Sequence, residues 1–195
     1  MANKKYDESQ GDPQSPVHEV GEFPAEELTP NSVDDLEVDS ESEELFAASS
    51  GCNVRWRVAK SLLTLRDEMN RAAPQRSKAS DGTIGDAAHC QRQSDHNPWV
   101  RDGNIGVVTA MDITDDPTHD CSANNIAESI RERRDARVKY IIWNRRIANS
   151  SAIGSNPPWA WRAYTGTNPH TKHIHISVKS DKPNYDSTVE WDVRT

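Results

Sequence analysis

The sequence predicts an α+β domain with a small, mainly antiparallel sheet and flanking helices, and three observations carry this prediction. Two stretches have the period of an amphipathic helix, at residues 54–70 and 122–134. Three others have the alternating or continuous apolar pattern that is typical of strands, at residues 107–114, 138–143 and 172–178. Loops rich in Gly, Pro, Asn and Ser separate these stretches, and helices and strands in such a mixed order are typical of the α+β class.

The first predicted helix, residues 54–70, opens the folded part of the chain. It places its apolar side chains on one stripe and its charged ones elsewhere. The stripe consists of Val54, Val58, Leu62, Leu65 and Met69. Pro74 and the polar residues after it end this helix. Residues 71–106 are rich in Gly, Asp, Ser and Asn, so we expect a loop that carries functional side chains.

The strand predicted over residues 107–114 carries one acidic residue within an apolar run. Alternation puts Val108, Ala110 and Asp112 on the same side of this strand. A carboxylate on a buried strand needs a partner, because burying it alone is costly in free energy. A bound metal ion is one partner that Asp112 could have.

Residues 122–178 contain the remaining predicted elements, which are one helix, three strands and a loop. The second helix covers residues 122–134, with Ser122 as its N-cap. It turns three apolar side chains inward, those of Ile126, Ala127 and Ile130. Residues 138–143 form a buried strand of β-branched and aromatic residues, and residues 148–160 form a loop. A short strand over residues 161–164 precedes the last one, which covers residues 172–178.

Composition divides the chain near residue 50. Only 34% of the 195 residues are apolar, and the first fifty residues hold fourteen acidic side chains against two lysines, a net charge of −12. Such a segment cannot bury enough surface to offset its chain entropy. We therefore expect residues 1–50 to be a disordered acidic segment. Residues 51–195, with twenty-one basic and seventeen acidic side chains and a net charge of +4, form the predicted domain.

Charge, cysteines and hydropathy restrict the classes of partner. A mildly basic domain suits an anionic target, but no basic run interleaved with aromatics marks a nucleic-acid module, so no nucleic-acid partner is predicted. Three cysteines without CxxC spacing exclude a zinc ribbon. No apolar stretch approaches the roughly 18 residues of a membrane span, and the first residues lack the apolar core of a secretion signal. We expect synthesis in the cytoplasm without a signal peptide and without membrane insertion.

The last predicted strand carries the most informative pair of side chains. Alternation puts His173 and His175 on one face of this strand. Upstream, the run Ser94-Asp95-His96 supplies another imidazole, and Asp112 supplies a carboxylate. With one of the paired histidines they make a set of three zinc ligands. Three protein ligands leave a position for water, which distinguishes catalytic zinc sites from structural ones.

These motifs, in the order Ser-x-His, Ala-x-Asp, His-x-His, resemble a family of zinc peptidases that act on bacterial cell walls. The family comprises the D-alanyl-D-alanine carboxypeptidases and the L-alanyl-D-glutamate endopeptidases of phage endolysins, and the likeness covers residues 81–178. It implies a hedgehog/D-Ala-D-Ala-peptidase-like fold. The ligands of Zn²⁺ implied by the resemblance are His96, Asp112 and His175, with His170 and His173 as neighbouring catalytic histidines. Arg92 matches an arginine that binds a substrate carboxylate, although an exposed loop arginine is an equally good interpretation.

Two features depart from the family pattern. Fifteen residues separate His96 from Asp112, which is more than the family has, so a longer loop must bring the two together. Lys172 occupies the position of the family's acidic general base, and a lysine accepts a proton only if its pKa is strongly lowered. Because zinc itself acidifies bound water, a weak base suffices. Our first choice for that base is His170, ahead of the other candidates, which are His173, Asp95 and Asp115.

The resemblance implies a zinc-dependent peptidase that cleaves peptide bonds in peptidoglycan stem peptides. It would act at the cell wall after phage release or after delivery by an injection particle. The alternative is a non-catalytic zinc-containing domain that binds the cell wall or a partner, since hedgehog signalling domains share the ligand pattern. In a further hypothesis, residues 1–50 are a loading signal for a virion or an injection particle. Fold resemblance does not choose between these functions.

Overall fold

The computed structural model describes residues 55–84 and 94–195. The acidic segment predicted over residues 1–50 lies outside these ranges, as does Arg92. Within the described ranges the strands are β1 (Trp56–Val58), β2 (Val100–Asp102), β3 (Ile105–Val108), β4 (Ala110–Thr114), β5 (Val138–Trp143), β6 (Arg146–Asn149), β7 (Arg162–Ala163) and β8 (His173–Val178). The helices are α1 (Lys60–Ala72), α2 (Ala123–Arg133) and the short α3 (Lys182–Tyr185). Among the helices described, none has the length and apolar character needed to cross a membrane.

The strands form two sheets. One has five strands in the order β4-β8-β5-β6-β7, and every neighbouring pair in it is antiparallel. The other has three strands in the order β1-β3-β2, with β1 parallel and β2 antiparallel to β3. The predicted α+β class is therefore confirmed, and the larger sheet is antiparallel as expected. The smaller sheet was not predicted.

The predicted helix over residues 54–70 is wrong at its start. Trp56–Val58 forms β1, and α1 begins only at Lys60. Trp56 and Val58 are buried at alternate positions because β1 is a strand paired with β3. Leu62, Leu65 and Met69 of the predicted apolar stripe are buried on α1, and Val54 lies outside the described residues. The helix ends before Pro74, as expected.

The region predicted as one loop and one strand, residues 71–114, is divided differently. β2 and β3 form a hairpin within it, and the turn uses Gly103 at a φ of 59°, which glycine adopts without steric cost. Thr109 then interrupts the predicted strand over residues 107–114, because its N–H donates to the carbonyl of Asp95 rather than to a strand of either sheet. The chain therefore passes from the small sheet into the large one at Thr109.

The hydrophobic core includes apolar residues of α1, α2 and the five-stranded sheet. In α2 the Ser122 hydroxyl accepts the N–H of Asn125 at 3.3 Å, which confirms the predicted N-cap. This helix buries the three apolar side chains expected of it, Ile126, Ala127 and Ile130. β8 adds Ile174 and Ile176, both fully buried. Burying one such side chain stabilises the fold by roughly 1.5–3 kcal/mol.

The segment that follows α3, residues 186–195, packs against α1. Trp191 is only 2% exposed, and its indole N–H donates to the carbonyl of Ser61 at 2.7 Å. The Arg137 guanidinium lies 3.9 Å from the centre of the Trp191 ring, a cation–π contact. This segment therefore completes the core that supports the five-stranded sheet.

Candidate metal centre

Three side chains from distant parts of the sequence meet on one face of the five-stranded sheet. Asp112 on β4 lies directly opposite His175 on β8, and its Oδ1 is 3.0 Å from His175 Nδ1. His96 comes from the segment before β2, and its Nε2 lies 3.1 Å from His175 Nδ1 and 3.4 Å from Asp112 Oδ1. The structure thus brings the three predicted ligands close enough to hold a metal ion. The fifteen intervening residues do not prevent this arrangement.

A tight turn aims His96 toward the other two ligands. The N–H of His96 donates to the Ser94 hydroxyl at 3.2 Å, and the N–H of Asn97 donates to the Ser94 carbonyl at 3.0 Å. The serine of the Ser-x-His motif therefore has a local role, since it closes the turn that carries the imidazole. On the far side of the ring, His96 Nδ1 hydrogen-bonds the carbonyl of Thr83.

The hydrogen bonds of the two imidazoles leave lone pairs facing inward. A carbonyl only accepts, so the proton of a neutral His96 sits on Nδ1 and its Nε2 is free to bind a metal. His175 Nε2 lies 3.0 Å from the Ser177 hydroxyl. When Nε2 carries the proton and donates it to this hydroxyl, the lone pair of Nδ1 is free and faces Asp112. Two imidazole acceptors and a carboxylate oxygen then face one another at 3.0–3.4 Å.

These residues fit a divalent metal ion. Metal–ligand bonds of about 2.0–2.1 Å place tetrahedral ligands roughly 3.3–3.4 Å apart, close to the three distances found here. His175 is only 5% exposed, so its ring has little access to water. A cation among them gives each lone pair a partner and compensates the partly buried carboxylate of Asp112.

Asp112 and His96 shift each other's pKa. Burial alone would raise the pKa of Asp112, but the hydrogen bonds and charges of His175 and His96 outweigh it, so this pKa is lowered. Burial alone would lower the pKa of His96, but Asp112 and the Thr83 carbonyl raise it on balance. The cluster therefore favours a positive charge next to the carboxylate, and a metal ion competes with a proton for that position.

Tyr140 and Ser177 both contact the ring of His175. The ring of Tyr140 on β5 stacks on His175 with centroids 5.5 Å apart. Burial and the neighbouring Asp95 raise the pKa of Tyr140, so the phenol stays protonated. Both oxygens of Asp95 accept from Lys139 Nζ at 2.8 Å. The side chain of Asp95, considered above as a base, is therefore held in an ion pair with Lys139.

The backbone of Asp112 is fixed on both sides. β8 pairs with it on one side, and on the other side Gly82 exchanges two backbone hydrogen bonds with it, at 2.7 and 3.2 Å. The loop that carries Gly82 is held by the side chain of Arg76, which is 0% exposed and bonds both oxygens of Asp81. Asp81 also accepts from the N–H and the hydroxyl of Thr114 on β4. This loop therefore positions Asp112.

His173 and His170 form a second group beside the first. His173 lies on the same face of β8 as His175, and its Nε2 is 3.6 Å from Asp112 Oδ2. The ring of His170 packs edge-on against His173 and His175, with centroids 5.1 and 5.4 Å apart. Burial lowers the pKa of both His170 and His173, that of His170 to about 4. The structure thus places the two predicted catalytic histidines next to the three predicted metal ligands.

The backbone of His170 is strained but firmly held. Its φ is 50°, in the left-handed region that a residue with a side chain adopts only at a cost. The N–H of His170 donates to the side-chain oxygen of Asn168 at 3.0 Å, and its carbonyl accepts the N–H of Asn144 at 2.8 Å. Non-glycine residues in such conformations cluster at functional sites, where the surroundings enforce them.

Lys172 and Asp115, whose suitability as a general base was considered above, make the following hydrogen bonds with residues outside the cluster. Lys172 is exposed, and its carbonyl accepts the N–H of Asp115 at 2.9 Å. Asp115 Oδ1 accepts the N–H of Ala123 at 2.8 Å, which satisfies a donor at the start of α2. Arg92, the predicted substrate-binding residue, lies outside the described residues and stays a prediction.

Sequence reasoning missed the groups that orient the ligands. Ser177 is two residues after His175 on one strand, so it shares the face of His175, and this spacing was a usable signal. Tyr140 requires the register of β5 against β8, which pairs it with Ser177. Thr83 contributes a backbone carbonyl, for which the sequence carries no signal.

Comparison with known proteins adds no relative to these observations. No protein-family model, no curated protein and no solved structure matches the chain. The fold and the site together define an α+β domain with a group of two histidines and one aspartate that is close enough to hold a metal ion.

Proposed function

We propose that this protein is a zinc-dependent peptidase that cleaves peptide bonds in the stem peptides of bacterial peptidoglycan. One observation carries the proposal: His96, Asp112 and His175 converge within 3.4 Å of one another, with ring nitrogens and a carboxylate oxygen facing inward. Three such ligands leave a zinc ion an open position, as catalytic sites require. The order of the motifs and the hedgehog/D-Ala-D-Ala-peptidase-like fold that they imply belong to the same proposal.

The metal and the neighbouring histidines have separate roles in this proposal. A zinc ion held by the three ligands would polarise the scissile carbonyl and acidify a water molecule. His173 and His170 lie beside Asp112, where a ring N–H can donate to the carbonyl oxygen as negative charge develops on it. His170 is also our candidate to accept a proton, since a neutral imidazole has a basic nitrogen.

The proposed mechanism gives Lys172 no proton-transfer role. Its side chain is exposed, whereas His170 and His173 are within reach of Asp112. Proton transfer therefore falls to the histidines.

The substrate partner in this proposal is a peptidoglycan peptide, at the cell wall, after phage release or particle delivery. The charge of +4 on residues 51–195 suits the carboxylates and phosphates of a wall. Arg92 is proposed to bind a substrate carboxylate. Residues 1–50 are proposed to load the protein into a virion or an injection particle, and deleting them should then abolish packaging without changing peptidase activity.

The test uses the full chain and defined muropeptides with stems of three, four and five residues. Protein stripped of metal and protein reloaded with one equivalent of Zn²⁺ are compared by the release of new amino groups and by product masses. We expect new amino ends from the reloaded protein alone, and the masses identify the bond that is cut. Asp112→Asn should be inactive, whereas Asp120→Asn, at an exposed aspartate, is the matched control and should be active. Equal digestion by stripped and reloaded protein would refute the proposal.

A second candidate function is a non-catalytic zinc-containing domain that binds the cell wall or a partner. The observation that favours it is Lys172, which stands where the similar peptidases have an acidic base. Binding of the reloaded protein to purified sacculi separates the two functions. A pure binding domain would sediment with the sacculi and release no amino groups.

A further inference from the structure

The two carboxylate oxygens of Asp112 face different groups. Oδ1 lies 3.0 Å from His175 Nδ1 and 3.4 Å from His96 Nε2, whereas Oδ2 lies 3.6 Å from His173 Nε2. One possible ligand atom from each of Asp112, His170 and His173 lies within 4.8 Å of the other two. The carboxylate therefore belongs to two potential ligand sets at once.

The second set contains buried nitrogens that lack partners. Among the described residues, neither ring nitrogen of His173 nor Nδ1 of His170 has a hydrogen-bond partner. His170 is 7% exposed, and its ring packs edge-on against that of His173. Burying polar atoms without partners is unfavourable, so the arrangement calls for a ligand that both imidazoles can bind.

We propose that a second divalent cation binds to Asp112, His170 and His173, with Asp112 bridging the two metal ions. In two-metal sites the ions stand about 3.5–4 Å apart, a separation that a carboxylate spans with one oxygen on each ion. The chemical class of the ligand is a borderline divalent ion such as Zn²⁺ or Co²⁺, since imidazole nitrogens are two of its three ligands.

The second ion binds more weakly than the first. It shares a single carboxylate with a cation already in place, so mutual repulsion opposes it. Its carboxylate oxygen also lies farther from an imidazole nitrogen, with 3.6 Å between Asp112 Oδ2 and His173 Nε2 against 3.0–3.4 Å among the ligand atoms of the first set. The two sites therefore fill in sequence as the metal concentration rises.

The second ion inhibits the protein when it is bound, and this part rests on the proposed function. The peptidase proposal uses the ring nitrogens of His170 and His173 to stabilise charge and to accept a proton. A cation on those nitrogens removes both capacities. Activity therefore rises with the first equivalent of zinc and falls with the second.

The test begins with stoichiometry, measured on the metal-free full chain by equilibrium dialysis against Zn²⁺ and metal analysis. We expect two ions per wild-type chain and one per His173→Gln chain. His119→Gln is the matched control, because His119 is exposed and bonds Asp116 instead of the cluster, and it should bind two ions. A wild-type stoichiometry of one, or of two in His173→Gln, would overturn the second site.

A measurement on the wild-type protein removes any dependence on the folding of a variant. Co²⁺ is added in steps and followed by electron paramagnetic resonance. If Asp112 bridges the ions, the second equivalent couples to the first and the signal per cobalt decreases. Signals that add independently would overturn the bridged site.

Activity against zinc then tests the inhibitory role. A maximum at one bound equivalent, followed by a loss as the second binds, is the expected result. Activity that stays at its maximum up to two bound equivalents would overturn the inhibition. A chain that never hydrolyses muropeptides contradicts the proposed function instead, so the two failures are distinguishable.

Discussion

The two faces of β8 are both buried, but they are stabilised in different ways. Ile174 and Ile176 belong to the apolar core, where removal of apolar surface from water is favourable without any specific partner. His175 and Ser177 on the opposite face are buried as well, and their polar atoms each require a partner. The apolar face therefore accounts for much of the fold's stability, and the polar face carries the candidate metal centre. Substitutions on the two faces should separate these properties.

The largest effect should come from Asp112→Asn on the polar face. The amide keeps the size of the side chain but removes the negative charge that faces both imidazoles, so zinc binding should be lost. Isothermal titration of the metal-free protein measures it, and circular dichroism reports whether the fold is kept. Retained zinc affinity in Asp112→Asn would show that the ion binds elsewhere.

Ile176→Ala tests the apolar face. Truncating a fully buried isoleucine should lower the free energy of unfolding by about 2–5 kcal/mol, because it removes apolar burial and leaves a cavity. Urea denaturation of the metal-free protein measures this loss. The folded variant should bind zinc as the wild type does. A variant of normal stability with impaired zinc binding would contradict the division between the two faces.

Ser177→Ala should have a smaller effect, confined to the metal. The Ser177 hydroxyl orients His175 through Nε2, and removal of such a partner costs about 10–100-fold in metal affinity. Competition with a chelator of known affinity measures the change. Ser180→Ala, at an exposed serine after β8, should leave the affinity unchanged. Equal affinities in the two variants would mean that the hydroxyl does not orient the ligand.

The smallest effect concerns Asp116, which lies on neither face of β8. Hydrogen bonds from the Thr118 hydroxyl and the Ser77 N–H lower the pKa of Asp116 from 3.8 to about 2. A lowered carboxyl pKa stabilises the fold above the unfolded value, and the stabilisation is lost as pH falls toward the folded value. The stability difference between wild type and Asp116→Asn should therefore shrink between about pH 4 and pH 2. Paired thermal melts measure it, and a difference that grows toward low pH would contradict the assignment.

The elements with one clear period were predictable from the sequence. The segments that became α2, β5 and β8 each fit a single pattern, and the structure has them as expected. The predicted helix over residues 54–70 failed at its start because Trp56 and Val58 fit a strand as well as a helix. These residues form a strand because they pair with β3. A pairing between two distant segments cannot be recognised from the sequence of either segment alone.

The three predicted ligands came from short motifs, whereas their geometry depends on tertiary contacts. His175 and His173 share a face by strand alternation, which the sequence shows directly. That Asp112 lies opposite His175 depends on the register of β4 against β8. The groups that orient the ligands depend on the fold still more, since Thr83 acts through its backbone. Local patterns thus predicted the ligand types, and the sheet determines where these side chains lie.

The central claim is that His96, Asp112 and His175 share one metal ion. Anomalous diffraction from crystals grown with one equivalent of Zn²⁺ tests it most directly. We predict a single strong zinc peak at about 2.0–2.2 Å from His96 Nε2, Asp112 Oδ1 and His175 Nδ1. A zinc peak bound by other side chains, with these three atoms left without the ion, would contradict it.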